Sequence, residues 1–508
     1  MGAKLTALPT PVPGDYGVVR EAPPAPGGEA PGALGRRTTA GVLWLLLQSL
    51  SGRAAGFVSQ LVLARLLLPE AFGQVGLAYT VTGLVGALIS FGIDDVVLQR
   101  SARLQHWLAP AFWCSLGLSV VGTALLLAAA PLAAHIYGSP GLTGLIAVVA
   151  LTLPLGALAT VPTVKLRAAM DFRFIAAYSS LEIVGVQLAS VLLAAAGFDA
   201  YSFVLPLPVA AAVKLVVFWR KAPTRITWRY RVAQLAHLLR SGLLILATRI
   251  INETVNQGDY IILGIMTTDA VVGVYFFAFR LAAQPLRMLA GNFGAVLFPA
   301  LTQLGADPAR QRSAALQAAL AAPTLHLMFG TRWDGAIPLI QILSLGLPGD
   351  AVAWIGGALL VARKQFRLDL VYLLMFAPPF FALVFVGALL GSSLGVAVGA
   401  SLYYALVKPV NAWLMFQPGM RRGDAVRLFV QPYMVAGLAI GACYAVAQLL
   451  VAPEHPLGQL LLIVGASPFA YAAALRLCVP DVLRELLQRF PVARLAGRAV
   501  RRLRMRPA

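Results

Sequence analysis

The sequence predicts an all-α polytopic membrane protein with 13–14 transmembrane helices that form two parallel repeats. Three observations support this prediction. Hydrophobic residues make up 59% of the 508 residues and charged residues only 12%, whereas about 25% of an ordinary soluble domain is charged. Apolar runs of ~20 residues recur along the chain, and that length crosses a bilayer as a helix. The runs are continuous rather than alternating, which excludes a membrane β-barrel.

Thirteen apolar segments are long enough to cross the bilayer. They cover residues 39–66, 72–93, 107–137, 142–161, 174–196, 201–219, 238–266, 271–301, 337–361, 368–390, 394–416, 428–451 and 457–478. A fourteenth, Ala-rich segment at 313–329 is short and is interrupted by Gln317, Pro323 and His326. At ~1.5 Å per residue it could cross a thinned bilayer when tilted. The alternatives are a re-entrant segment or a helix that has lost part of its length.

The loops between these segments alternate between basic loops and loops that are poor in Lys and Arg. Clusters of Lys and Arg follow every second segment, for example at 100–103, 165–173 and 220–231, and the loops between them are short and poor in both residues. The one conflict is that a single strong span separates the clusters at 310–312 and 363–367, which favours counting 313–329 as a fourteenth crossing. This alternation predicts that both termini are cytoplasmic. It also accounts for the net charge of +20. Because no motif combines basic and aromatic residues for base recognition, we expect no nucleic-acid partner.

The residues that carry enzyme chemistry are not arranged in a recognisable motif. Cys114, Cys443 and Cys478 all lie within apolar runs, and the five histidines are scattered. We therefore expect no metal site and no cofactor. A Walker A loop, a nucleophile elbow, paired catalytic carboxylates and a zinc-ligand pair are all missing, so the sequence predicts a transporter rather than an enzyme.

A weak internal repeat appears at an offset of 200 residues. Leu63-Ala64 and Gly73 correspond to Leu263-Gly264 and Gly273 across a helix–loop–helix unit. Parallel repeats of this kind place the substrate route at their interface.

Polar residues follow helical spacing on the first helix of each repeat. They do so again on the next helix of the second repeat. These stripes contain Ser49, Gly52, Arg53, Gly56, Ser59 and Gln60, then Arg249, Asn252, Glu253, Asn256 and Tyr260, then Arg280, Gln284 and Arg287. An Arg that faces lipid near mid-bilayer costs at least ~2.5–3.5 kcal/mol on insertion scales. The stripes should therefore line protein or water.

Arginine outnumbers acid in these helices, which favours a cationic cavity for a phosphate-bearing substrate. The predicted substrate-binding residues are Arg53, Arg249, Arg280 and Arg287, and the candidates for ion coupling are Glu253, Asp259 and Glu182. The alternative is that these groups only tie helices together, for example through a local Arg249–Glu253 pair. Lys214 and Lys408 are expected to snorkel, and Asp94 and Asp95 to face cytoplasmic water.

The 61–73 segment, LVLARLLLPEAFG, resembles the polysaccharide biosynthesis flippases of the Wzx type. This family belongs to the multidrug/oligosaccharidyl-lipid/polysaccharide exporter superfamily. The resemblance continues in family order from about residue 40 to 420. It rests on four further motifs: Phe91-Gly92, the 165–172 loop KLRAAMDF, the 298–301 segment FPAL, and Phe329-Gly330 before Trp333.

The resemblance implies a fourteen-helix fold of two lobes and a cationic central cavity. It further implies flipping of polyprenyl-pyrophosphate-linked oligosaccharide across the bacterial inner membrane by alternating access. The expected partners are lipid-linked oligosaccharide, membrane lipids and other polysaccharide assembly proteins. In the family a full helix precedes the Phe-Gly…Trp loop, where this chain keeps only 313–329.

The chain divides accordingly into six parts. We expect a disordered cytoplasmic tail (1–37), an N-terminal six-helix lobe (38–220), a basic linker (221–236), a C-terminal lobe with the shortened helix (237–417), two additional helices (428–478) and a basic tail (479–508). That last tail is either an amphipathic helix on anionic lipid or solvated.

Three other functions remain open alternatives. One is a cation-coupled multidrug exporter of the same superfamily, whose cavity should carry surplus acid. The second is a membrane enzyme of glycan assembly, a polymerase or ligase, which should have a large outer loop. The third is a degenerate, inactive flippase.

Overall fold

The structure is a computed structural model. It describes residues 52, 55–89, 91–98, 104–224, 226, 232–283, 331–347, 349–350, 353, 356–357, 360, 363, 365–415, 442–443, 445–450, 462, 466, 470 and 473. The predictions for the 1–37 tail, the 313–329 helix and the 479–508 tail lie outside the described residues, as do most of the two additional helices.

The described part of the chain is helical throughout. In the N-terminal lobe the helices are α1 (Ala55–Leu66), α2 (Pro69–Ile89), α3 (Ile93–Leu98), α4 (Leu104–Ile136), α5 (Leu142–Ala150), α6 (Thr152–Leu158), α7 (Thr160–Ala168), α8 (Phe172–Ala195), α9 (Tyr201–Val204) and α10 (Pro206–Lys221). In the C-terminal lobe they are α11 (Val232–Asn256), α12 (Gly258–Met266), α13 (269–283), α14 (Ala336–Gly346), α15 (Phe366–Leu402) and α16 (Lys408–Met415). A 3-10 turn at Thr331–Trp333 precedes α14, and a π-helical turn at Tyr403–Val407 joins α15 to α16.

Several of these helices have the length and composition of membrane spans. Within the described residues, five helices could cross a bilayer, or up to seven if each of two bent pairs counts as one span. The described helices confirm an all-α polytopic membrane protein.

Two predicted spans are broken in the structure, and a third break falls where a loop is predicted. The span predicted at 142–161 bends by 49° at Ala159, between α6 and α7. The span predicted at 238–266 breaks at Gln257, which leaves helical geometry at φ −107° and ψ 0°. The 366–402 helix reverses at Gly391 and Ser392, with φ 51° at Ser392, which is the loop predicted between the spans at 368–390 and 394–416. The first two breaks were not visible in the hydropathy of the sequence, because a window of span length averages over a local change in helix direction.

The two lobes pack against each other through one hydrophobic core that contains Leu63, Phe72, Tyr275, Trp333 and Phe380. Phe72 makes edge-to-face contacts with Phe203 and Trp333, with ring centroids 5.1 and 5.0 Å apart. The indole Nε1 of Trp333 donates a 2.9 Å hydrogen bond to the Ala64 carbonyl. An aromatic cluster therefore joins the lobes where α2 and α13 begin.

The offset-200 repeat coincides with a reciprocal contact at this interface. A methyl group added to Gly73 would overlap the Asp269 carbonyl oxygen, and one added to Gly273 would overlap the Pro69 carbonyl oxygen. Each glycine therefore lets its helix approach the backbone at the start of the other helix. The side chain of Asp269 adds polar contacts, because its Oδ2 lies 2.7 Å from Ser139 Oγ and 3.3 Å from Gln74 Nε2.

We call this end of the molecule, marked by Pro69, Ser139 and Asp269, the closed end. The opposite end, where α7 and α10 reach their basic residues Arg167 and Lys221, is called the basic end.

Candidate functional site

A cleft opens among α2, α3, α4, α6, α7 and α11 and reaches toward the basic end. Its volume is about 410 Å³, within the ~300–1,000 Å³ typical of ligand sites. The lining residues are Gly86, Ile89, Phe91, Gly92, Ile93, Asp94, Ser115, Leu118, Ser119, Leu153, Ala157, Arg167 and Arg249.

Local backbone geometry brings these residues together. After α2 ends, Gly92 adopts φ +61° and turns the chain into α3, which places Phe91 and Asp94 on the cleft wall. The bend at Ala159 redirects the chain into α7, whose last turn carries Arg167. Arg249 enters the same cleft from the long helix α11. Side chains from both lobes thus meet here, although they are up to 163 residues apart along the chain.

The cleft combines two cations, one acid and two hydroxyl groups. Arg167 and Arg249 are solvent-exposed and Asp94 is half-buried. Ser115 is half-buried, whereas Ser119 is buried and its Oγ donates a 2.8 Å hydrogen bond to the Leu116 carbonyl. Paired guanidinium groups suit an anion with several oxygens, because each presents a fork of N–H donors.

The predicted cationic residues are only partly brought together. Arg249 lies in the cleft, as expected of a substrate-binding residue. Arg280 lies at the lobe interface, where its guanidinium carbon is 5.2 Å from the centroid of the Phe276 ring. Arg53 and Arg287 lie outside the described residues. The role of all four residues in substrate binding stays a prediction.

Two cleft residues were missed from the sequence. Asp94 was assigned only to cytoplasmic water, which stays a prediction, whereas the structure places it after the Gly92 turn on the wall of the cleft. Arg167 was recognised only as a loop cation. The sequence signal that could have identified Arg167 was its place in the 165–172 motif. In the structure Arg167 lies in the last turn of the short helix α7 and not in a loop.

The three candidate coupling acids occupy different environments. Glu253 Oε1 accepts a 2.8 Å hydrogen bond from Gln257 Nε2, and Gln257 Oε1 lies 3.3 Å from Thr80 Oγ1 in the other lobe. Asp259 is 1% exposed, and its Oδ2 accepts a 2.8 Å hydrogen bond from the Tyr275 hydroxyl. Of the three, Glu253 begins a chain of polar contacts that crosses from one lobe to the other.

The remaining acid and two lysines form ion pairs between helices. Glu182 on α8 lies 3.6 Å from Lys214 on α10. Lys408 lies 2.8 Å from Asp350, with its side chain 13% exposed, and its Nζ is 5.8 Å from the centroid of the Tyr403 ring. The expectation of snorkelling was therefore wrong for Lys408, because its ammonium group pairs with the Asp350 carboxylate within the C-terminal lobe.

Known proteins with similar sequences are named for the biosynthesis or transport of polysaccharides. The succinoglycan biosynthesis transport protein ExoT of Rhizobium meliloti (strain 1021) is 26% identical over 328 residues, which cover 61% of this chain and 66% of that protein, just under two thirds of its length. The lipopolysaccharide biosynthesis protein WzxC of Escherichia coli (strain K12) is 23% identical over 410 residues, covering 76% of this chain and 81% of that protein.

Solved structures show the same fold at low sequence identity. The lipid II flippase MurJ in an inward closed conformation matches with a TM-score of 0.69 and 10% identity, covering 87% of this chain and 100% of that one. An inward-facing multidrug resistance MATE family transporter of the MOP superfamily matches with a TM-score of 0.53 and 16% identity, covering 72% and 93%. These likenesses confirm the two-lobe architecture.

The family profile described as "Polysaccharide biosynthesis protein" matches residues 62–338, more than half of the chain. This match spans α2 through the start of α14 and therefore includes all the cleft residues. The chain belongs to the polysaccharide biosynthesis protein family.

Proposed function

We propose that this protein flips polyprenyl-diphosphate-linked oligosaccharide, a repeat unit of O-antigen, capsule or exopolysaccharide, across the bacterial cytoplasmic membrane. The observation that carries the proposal is the pair Arg167 and Arg249 in a cleft near the basic end, while the lobes are joined at the closed end. The names of ExoT and WzxC support a polysaccharide substrate, and the fold of MurJ supports a lipid flippase.

In this proposal the basic end faces the cytoplasm, where lipid-linked glycans are assembled, and both termini are cytoplasmic. The two guanidinium groups of the cleft replace the water that solvates the diphosphate, so that the charged headgroup can leave the aqueous phase. The polyprenyl chain stays in the lipid throughout. The protein acts as a transporter and not as an enzyme, and it works alongside other polysaccharide assembly proteins.

Alternating access then requires the closed end to open while the basic end closes. The contacts that must separate are the reciprocal Gly73 and Gly273 contacts and the hydrogen bonds to Asp269. Glu253 is the favoured site of ion coupling, because Gln257 connects it to Thr80 across the lobe interface. Asp259 and Glu182 remain alternatives within the same proposal.

The test is the sidedness of lipid-linked oligosaccharide in cells that lack the gene. Spheroplasts from deletion and complemented strains are treated with a membrane-impermeant glycosidase that cleaves only glycan on the outer leaflet. We expect the deletion strain to accumulate protected, cytoplasmic-leaflet intermediate and the plasmid-borne gene to restore cleavage. Unchanged sidedness in the deletion strain would contradict the proposal. Failure of the plasmid-borne gene alone to restore cleavage would indicate the degenerate, inactive flippase.

A further inference from the structure

A groove lies on the outer surface of the N-terminal lobe, between α4, α6 and α10. Its volume is about 480 Å³. Its walls are apolar and largely aromatic, and they include Phe112, Trp113, Leu158, Val216 and Trp219. Thr224, from the basic linker, borders the groove at the basic end, and the described lining residues include no acid. The groove is therefore an apolar surface with a polar border at one end only.

The groove faces the lipid of the bilayer. Its α10 wall continues a stripe of valines, Val209, Val213 and Val216, which are 65%, 50% and 50% exposed. Residues at this spacing share one face of a helix. The groove is built on two segments that are long and apolar enough to cross a membrane, Leu104–Ile136 and Tyr201–Lys221. An acyl chain of the bilayer can therefore lie along the valine stripe and enter the groove.

The aromatic walls of the groove are fixed by contacts within the protein. The indole Nε1 of Trp219 donates a 2.9 Å hydrogen bond to the Leu158 carbonyl, just before the bend at Ala159. Phe112 and Trp113 pack edge to face, with ring centroids 5.2 Å apart. Tryptophan is enriched where its ring sits at the level of lipid headgroups. The groove thus offers a chain of lipid a preformed aromatic surface near the basic end.

Two cations lie at the rim of this groove. Lys165 Nζ donates to Thr224 Oγ1 at 2.9 Å and to the Pro223 carbonyl at 3.0 Å, which places the ammonium group beside the groove. Because an ammonium group has three donors, Lys165 can also donate to a phosphate oxygen. Arg220 is exposed and lies one turn beyond Val216 on the same side of α10. Cations beside an apolar groove at the membrane surface match an anionic lipid headgroup and its acyl chain.

The groove is separate from the cleft that Arg167 lines. Lys165 and Arg167 are two residues apart on α7, about 200° around the helix, so they point to opposite sides of it. The neighbouring cation Lys221 also points elsewhere. Its Nζ lies 3.9 Å from Asp171 Oδ2 and 5.4 Å from the centroid of the Phe174 ring. Two adjacent cations at the end of α10 therefore differ in direction, and only Arg220 continues the lipid-facing stripe.

We propose that this groove binds an anionic phospholipid of the leaflet at the basic end. One acyl chain packs against Trp113 and Trp219, and the phosphate lies between Lys165 and Arg220. The ligand is a component of the bilayer and not the transported substrate. The proposal requires that the chain spans a membrane, but it does not depend on the proposed function.

The test measures which lipid contacts the groove. Full-length protein is reconstituted in phosphatidylcholine vesicles that contain a minor fraction of either dibrominated phosphatidylglycerol or dibrominated phosphatidylcholine with the same chains. Bromine quenches tryptophan fluorescence on contact, and the difference between wild type and Trp113→Phe isolates the signal of Trp113. Each cation near the headgroup contributes about fivefold in affinity, so the groove should prefer phosphatidylglycerol about twentyfold.

Matched charge variants locate the headgroup. Lys165→Gln with Arg220→Gln should remove the preference for phosphatidylglycerol, measured again with and without Trp113→Phe. Lys221→Gln is the control, because it removes the adjacent charge that faces Asp171 and Phe174, and it should keep the preference. If Lys165→Gln does not fold, Arg220→Gln alone should lower the preference about fivefold.

Four results would overturn the proposal. Equal quenching of Trp113 by the two lipids in wild type would show that the groove does not select an anionic headgroup. A preference that survives the charge variants, or that Lys221→Gln removes as well, would place the headgroup elsewhere. Quenching by neither lipid would mean that protein covers the groove. Relief of the quenching by undecaprenyl phosphate, but not by unbrominated phosphatidylglycerol, would assign the groove to a polyprenyl chain.

Discussion

At the scale of single residues, the structure places the predicted cations in different surroundings. Arg249 lies in a cleft with Arg167, whereas Arg280 stacks on Phe276 between the lobes. Both arginines belong to the same class of sequence signal, a cation within an apolar helix. Only the structure shows that one lines the cleft and the other contacts an aromatic ring at the lobe interface.

Arg249→Gln should abolish flipping while leaving the amount of membrane-inserted protein unchanged. The substitution removes one of two guanidinium groups in the cleft, and the remaining one cannot by itself replace the solvation of a diphosphate. Complementation of a deletion strain measures the effect, and immunoblotting of membranes measures insertion. Arg173→Gln is the control, because Arg173 is exposed near the start of α8. Full complementation by Arg249→Gln would refute the role of Arg249.

Tyr275→Phe should lower the stability of the C-terminal lobe by about 1–3 kcal/mol, because it leaves the buried Asp259 without its side-chain donor. Thermal unfolding in detergent measures the change. Tyr372→Phe provides the comparison, since the Tyr372 hydroxyl is 3.4 Å from its acceptor, the Leu414 carbonyl. Equal losses of stability in the two variants would mean that the Asp259–Tyr275 hydrogen bond stabilises the protein no more than the long Tyr372 contact does.

At the scale of helices, close packing depends on small residues and on paired charges. The starts of α2 and α13 meet because Gly73 and Gly273 allow backbone contact on both sides of the interface. The helix at residues 349–350 meets α16 through the Asp350–Lys408 pair.

Alanine at Gly73 or Gly273 should open the closed end. A methyl group at either position overlaps a backbone carbonyl, which cannot move aside as a flexible side chain would. Spin labels at the exposed residues Glu70 and Thr268 report the separation of the lobes, and we expect it to increase in both variants. Gly117→Ala is the matched control, because nothing lies within 4 Å of the added carbon. Wild-type separations in both glycine variants would contradict this account of the interface.

Lys408→Met should destabilise the protein by about 3–5 kcal/mol, because it leaves Asp350 as an uncompensated charge inside the lobe. The double variant Lys408→Met, Asp350→Leu should recover most of that loss, since it removes both charges. Thermal unfolding of Lys408→Met, of Asp350→Leu and of the double variant gives the coupling energy between the two residues. Strictly additive effects would show that the two residues do not stabilise each other.

At the scale of the whole molecule, the lobes are joined at one end and enclose a cleft that reaches toward the other. This asymmetry is the starting point required for alternating access. The number of crossings determines whether the two termini lie on the same side of the membrane.

A reporter fused after Phe329 tests that number. If the 313–329 segment crosses the membrane, fourteen crossings place this position on the periplasmic side, and alkaline phosphatase fused there should be active. A fusion within the 363–367 cluster is the control and should be inactive, since Arg363 and Arg367 predict a cytoplasmic loop. Cytoplasmic behaviour after Phe329 would leave thirteen crossings or a re-entrant segment.

The sequence by itself determined the membrane class, the helical architecture and the two-repeat organisation. It could do so because the need to bury apolar length, and the asymmetric placement of positive charge, act locally along the chain. It also singled out Arg249, which lines the cleft in the structure. The repeat was visible only as Leu63-Ala64 and Gly73 matching their partners 200 residues later.

The tertiary structure decided which of these residues meet. It brought Asp94, Arg167 and Arg249 to one cleft, paired Lys408 with Asp350, and turned the repeated glycines into a reciprocal backbone contact. None of these contacts follows from local pattern, because each depends on the packing angle between helices that are distant along the chain. Hydropathy determines that a helix is buried, but the shape of neighbouring helices determines what its polar residues touch.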